Sequence, residues 1–214
     1  MAVLTGLRKE RVHMAEISKE VTGKTPETKN GYFEKFTVRD IVFLAVTAVV
    51  ALVTCAVMPL VSGLLTVVYG IAQLVTGLQT ALFAAVAMSK VRKPGALFLF
   101  CLFFGLFQLF MSPPMFFTTV VSGILVELLV ALIFHGYKSN KAVFTAAALL
   151  TPLTLPFNYL YNLWFGKEAM VAVASKSVWM TIGMSVAVIA VSCLGAWLGL
   201  KVYKELEKSG AMKK

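Results

Sequence analysis

The chain has 214 residues, 59% of them hydrophobic and only 14% charged, with a mean hydropathy of +0.84. A soluble domain carries roughly a quarter charged residues, so this composition excludes one and puts most of the chain in lipid. The formal net charge of +10 does not point to nucleic acid. The basic residues sit in short loops and at both termini, the distribution that sets membrane topology.

The apolar segments have helix lengths rather than short alternating ones, which argues against a transmembrane β-barrel. Cys55, Cys101 and Cys193 all fall inside apolar spans. They lack the clustered spacing of disulfides or a metal site and read as small buried hydrophobes.

Residues 1–35 form a polar arm, predicted cytoplasmic, with no apolar run and hence no cleavable signal peptide. Residues 1–22 are charged enough for a surface helix, and TGKTPETKNG is rich in turn formers. SKEVTGKT resembles the end of a phosphate-binding loop, but the first glycine of that motif would fall at Ser18 and no strand precedes it. His13 has no ligand-type partner at useful spacing and is expected to be solvated.

The membrane domain is predicted over 36–203. No charged residue occurs between Asp40 and Lys90, far more than the roughly 20 apolar residues that cross a bilayer core of about 30 Å. Pro59 and Gly63 mark the reversal between a first helix at about 38–58 and a second at about 64–88. A third is predicted at about 96–111, a fourth at 115–134, a fifth at 142–164 and a sixth at 178–200, followed by a basic tail over 204–214. The turns at 89–95 and 135–141, the arm and the tail carry most of the Lys and Arg. The expected architecture is therefore an all-α integral membrane protein with six transmembrane helices and both termini in the cytoplasm.

No hydrolytic triad, metal cluster or carboxylate pair lies in the spans, so neither an enzyme nor a metal or cofactor site is expected. Glu127 is the only acid within a span after Asp40. An ionisable group in lipid must face protein or water, so Glu127 either binds a substrate group or is satisfied between helices. Helix 5 contains Thr151-Pro152-Leu153-Thr154-Leu155-Pro156, and two prolines predict a broken helix of the kind that lines transporter sites. Asn158, Tyr159, Tyr161, Asn162 and Trp164 follow at its outer end. They read either as an interfacial aromatic belt or, because of the asparagines, as a pocket wall. Tyr69, Gln73, Gln108 and Trp179 fall at the same outer level. With Asn158, Tyr159, Asn162, Trp164 and the deeper Glu127 they form the candidate binding set for a small organic molecule. Small residues recur on helix 1 at Ala45, Thr47, Ala48 and Ala51, and Gly195 and Gly199 form a G-x-x-x-G pair on helix 6. Both patterns permit close helix approach, within the bundle or against a partner.

Taken in order, FTVRDIVFLAVTAVVALV, KVRKPGALFL, GILVELLVALIFHGYKS and CLGAWLGLKVYKELEKSGAMKK resemble the substrate-binding S component of an energy-coupling factor (ECF) transporter, of the MptD or Trep_Strep type. The resemblance runs from about Phe36 onward. It implies a multi-pass subunit of a bacterial-type plasma membrane that captures a vitamin-like or other small micronutrient outside the cell. Such a subunit docks on a membrane T component driven by two ATPase subunits and topples to deliver its substrate inward. It also implies a docking face on helix 1, at Ala45, Thr47, Ala48 and Ala51, although the family spacing is A-x-x-x-A and here the alanines fall three apart, with Thr47 and Ala51 giving a small pair four apart. A stand-alone secondary transporter and a membrane scaffold or assembly subunit are the alternatives.

Overall fold

The computed structural model describes residues 35–56, 70–111, 113–164 and 178–210. The polar arm, the turn after helix 1, Tyr69 and the 166–177 connection lie outside the described residues. The described residues form six α-helices and no strand: α1 Val38–Ala56, α2 Ile71–Lys90, α3 Ala96–Met111, α4 Pro113–Phe134, α5 Asn140–Trp164 and α6 Val178–Lys208.

Length and apolarity dictate these elements, since a backbone in lipid must satisfy its own hydrogen bonds. Four of the helices, α1, α4, α5 and α6, are long and apolar enough to cross a membrane, and α3 is a shorter apolar helix. Long aliphatic side chains such as Val42, Leu132 and Val186 project from the bundle. In water such a surface would aggregate, but in a bilayer it meets acyl chains.

The helices close a ring in which α1 packs on α3, α3 on α4, α4 on α5, α5 on α6, α6 on α2 and α2 on α1. Helix α2 also touches α3 and α5, which makes it the central element. Its buried face is a run of small residues, Ala81, Ala84 and Ala85, facing others such as Ala146, Ala147 and Ala196. Lipid tails are as apolar as the side chains, so close packing replaces the hydrophobic effect as the force between helices.

The tightest contact is between α2 and α6, which run parallel. A Cβ at Gly195 would overlap the carbonyl oxygen of Leu78, and one at Gly199 would lie 2.5 Å from the carbonyl oxygen of Leu82 and 2.7 Å from the Cβ of Ala85. The G-x-x-x-G pair therefore serves packing inside the chain. Gly123 does the same between α4 and α3, where a Cβ would come within 2.7 Å of the Cys101 side chain.

One end of the bundle gathers the positive charge. Thr37 and Asp40 cap α1 reciprocally: the Thr37 amide donates to Asp40 Oδ2 at 3.1 Å, and the Asp40 amide donates to Thr37 Oγ1 at 3.3 Å. Lys93, from the α2–α3 turn, pairs with Asp40 at 2.8 Å and donates to the Lys35 carbonyl at 3.0 Å. Arg92 reaches the α4–α5 turn, donating to Asn140 Oδ1 at 2.9 Å and to the Lys138 carbonyl at 3.4 Å. The start of α1 and both basic turns are thereby tied together, and the parallel packing on α2 brings the charged end of α6 to the same side.

Two expectations are corrected here. Helix α5 is not broken, because it is continuous from Asn140 to Trp164 with Pro152 and Pro156 inside it. The prolines are four positions apart and share a face, so the two lost donors stack on one side of the helix. Polar side chains on the same helix bond back to other carbonyls. Thr154 Oγ1 donates to the Thr151 carbonyl at 2.6 Å, and Asn162 Nδ2 donates to that of Asn158 at 2.7 Å. Helix α6 does not stop at 200 but runs on to Lys208. Lys201, Lys204 and Glu205 signal exit from lipid, yet they are good helix formers, and Lys208 pairs with Glu205 at 3.0 Å.

Overpacking a helix contact costs about 1–3 kcal/mol, and for a chain of this size each kcal/mol moves an unfolding midpoint by roughly 2–4 °C. Gly199→Leu is therefore expected to lower the midpoint in detergent by several degrees. Gly183, with open space around its would-be Cβ, is the control, and Gly183→Ala is expected to leave the midpoint unchanged or slightly raised.

Candidate functional site

The residues singled out in the sequence separate into two ends of the bundle. Glu127 lies at the basic end, on the last third of α4. Its Oε1 accepts the Gly95 amide at 2.6 Å, and its Oε2 accepts the Tyr137 hydroxyl at 2.9 Å and the Phe98 amide at 3.4 Å. Gly95 sits at φ +88° just before α3 begins, a conformation that glycine adopts without strain. The first amides of a helix have no partner within it and carry partial positive charge. A carboxylate from α4 fills that position and satisfies a buried tyrosine as well. Burial pushes the Tyr137 phenol above its usual range, and the neighbouring Glu127 carboxylate pushes it further, so Tyr137 remains a proton donor. Of the two readings of Glu127, the geometry displays the satisfied acid between helices.

The far end holds the amides. Thr119 on α4 donates to Gln108 Oε1 on α3 at 2.7 Å, a cross-helix bond in which the buried Thr119 was not legible as a partner. On α5, Asn162 Nδ2 donates to both the carbonyl oxygen and the Oδ1 of Asn158, at 2.7 and 2.8 Å. Asn162 is buried, and Asn158 and Tyr159 are half-buried. Gln73 is half-buried near the start of α2, where the neighbouring Gly70 meets Met184 of α6 and Leu155 of α5. The structure thus brings the candidates together as two polar pairs, Gln108–Thr119 and Asn158–Asn162, with Gln73 at the same end. It does not bring Glu127 to them. Trp164 and Trp179 are 83% and 86% exposed and project outward at the far end, the position of interfacial anchors.

Deeper between α2, α5 and α6, a Cβ on Gly77 would lie 3.2 Å from Ser192 Oγ and 3.3 Å from Thr151 Cγ2. This is a small polar junction in the middle of the bundle. No group of three or more His, Cys, Asp or Glu side chains suited to a metal occurs among the described residues.

On α1 the small residues face inward. Ala48 and Ala51 are fully buried and Thr47 nearly so, its hydroxyl donating to the Phe43 carbonyl at 2.8 Å, while Ala45 is half-buried. The outward face carries Val42, Val46, Val49 and Val53. A partner lying against α1 from outside would meet these valines, whereas Thr47, Ala48 and Ala51 hold α1 to its own bundle.

This is a multi-pass helical membrane protein whose described polar side chains are sorted between a basic end and one that carries amide pairs. The chain belongs to the Trep_Strep family, described as hypothetical bacterial integral membrane proteins, which matches residues 38–208. That places it in the bacterial plasma membrane. Among solved structures, it is similar to an S-component of an ECF transporter, with a TM-score of 0.58 and 20% sequence identity over 83% of this chain and 89% of that one. At this identity the likeness establishes a shared fold. No curated protein matches the chain.

The Glu127 geometry leads to a direct expectation. Glu127→Ala leaves the Gly95 amide and the Tyr137 hydroxyl without their acceptor, and each buried orphan costs about 1–3 kcal/mol. A marked fall in the unfolding midpoint is expected, with a smaller fall for Glu127→Gln, which keeps a carbonyl acceptor. If both variants kept the wild-type midpoint, the capping role would be refuted.

Proposed function

We propose that the chain is the substrate-binding subunit of an ECF-type importer. The observation that carries this reading is the agreement of the six-helix bundle with the S-component fold over 83% of this chain and 89% of the solved one, in a chain of a bacterial membrane family. The sorting of polar groups supports it. Lys35, Arg39, Arg92, Lys93, Lys138, Lys141 and Lys201 gather toward one end, which by the positive-inside rule is the cytoplasmic one and carries both termini. The amide pairs then lie toward the outer surface, where a subunit that captures a nutrient presents its site.

In this reading the substrate is a vitamin-like or other small micronutrient, and the chain performs no chemistry of its own. It docks on a membrane T component, two ATPase subunits supply the energy, and reorientation in the bilayer carries the bound substrate inward. The valine face of α1 is a lipid-compatible surface for that docking, because it packs on nothing within the described chain.

Two measurements test the proposal. Purification through a tag on this chain from its native membrane is expected to recover a T component and two ATPases. Recovery of the chain alone under mild detergent would favour a stand-alone transporter. With the three native cysteines replaced, Lys138→Cys is expected to resist a membrane-impermeant maleimide in intact cells while Leu163→Cys reacts. The opposite pattern would overturn the orientation.

A further inference from the structure

The outward face of α6 changes chemistry along its length. Gly195, Gly199 and Tyr203 are buried, and the two glycines face α2. With about 100° of rotation per residue, the opposite face carries Val186, Leu194 and Trp197, then Lys201 and Lys204. All five are exposed. We propose that Trp197, Lys201 and Lys204 form a binding site for an anionic phospholipid. Its headgroup phosphate lies on the two ammonium groups, and an acyl chain runs along Leu194 and Val186.

The position of the Lys201 ammonium is the first observation that carries this assignment. Helical side chains tilt toward the start of their helix, and Lys201 Nζ lies 5.4 Å from the centre of the Trp197 ring. An exposed tryptophan on a lipid-facing stripe sits at headgroup level. The ring attracts the cation and keeps it at that level, where the phosphates of the bilayer are, instead of letting it extend into water.

The second observation is the charge around it. Lys204 follows three positions later on the same face and adds a second cation one turn nearer the water. Glu205 and Glu207 lie on opposite flanks of the stripe, each about 80° from Trp197, and Glu205 is engaged by Lys208 at 3.0 Å. The third is the apolar surface that continues from Trp197 through Leu194 to Val186, against which an acyl chain packs. Cationic, aromatic and aliphatic groups thus follow one another in the order in which a phospholipid presents its phosphate, glycerol and chain. A zwitterionic lipid would bring its own cation against the lysines, so the site favours a net negative headgroup. The importer reading is not needed for this assignment, which uses only a face that meets lipid.

The test reads contact at Trp197 directly. Trp164→Phe and Trp179→Phe leave Trp197 as the single tryptophan of the chain. This protein is placed in phosphatidylcholine vesicles that contain increasing fractions of brominated phosphatidylglycerol or of brominated phosphatidylcholine. Bromine quenches tryptophan fluorescence on contact, so the two curves give the relative affinity of the lipids for this face. Phosphatidylglycerol is expected to be favoured about fivefold or more, the contribution of one lysine near an anionic surface. Lys201→Gln combined with Lys204→Gln is expected to abolish that preference. Lys138→Gln combined with Lys141→Gln removes the same charge from the α4–α5 turn and is expected to leave the preference intact. An equal loss in that control would show diffuse attraction to the basic end and would overturn the site. Equal quenching by both lipids would overturn it as well, as would quenching by neither, the result of a second protein seated on this face.

Discussion

A carboxylate from one helix set against the first amides of another holds the charged end of this protein together. Glu127 costs several kcal/mol to place in lipid on most estimates, and the cost is offset because three donors converge on it. They come from the α2–α3 turn, the first turn of α3 and the α4–α5 turn. With those segments fixed, Lys93 can meet Asp40 and Arg92 can meet Asn140. The outcome is a braced end in which α1, the two basic turns and α3 are tied to one another.

The rest of the bundle depends on closeness rather than polarity. In lipid no hydrophobic gain separates one apolar surface from another, so helices associate where small residues let backbones touch. Gly195 and Gly199 against Leu78 and Leu82 provide the closest approach, with alanines of α2 and α5 continuing it. Helix α2 consequently occupies the middle, and its far end meets α5 and α6 beside the asparagines. Among the described residues, the Lys93–Asp40 pair braces one end and the two amide pairs lie at the other.

The six helices were legible because long uninterrupted apolar runs separated by basic turns leave few alternatives. Other features were not legible, for reasons that can be stated. Pro152 and Pro156 announce lost hydrogen bonds, but a pattern does not reveal that the helix runs through both of them from Asn140 to Trp164. Lys201 to Lys208 announce departure from lipid, and helix propensity carries the backbone on regardless. Spacing identified the small row on α1 but not its direction, because in a membrane both the inner and the outer face are apolar. Glu127 was visible as an anomaly, whereas its first partner, Gly95, lies 32 positions away, beyond any local pattern. For the far end, the sequence placed amides and aromatic rings at one level. It did not separate the inward amides from the outward Trp164 and Trp179.

The division between these two ends is tested most directly by hydrogen–deuterium exchange. The chain would be compared as isolated from its native membrane and after exhaustive washing to strip small molecules. Washing is expected to raise exchange in peptides covering 103–111 and 154–164 while those covering 89–99 and 134–141 stay unchanged. A rise confined to the basic end, or no change at either end, would contradict it.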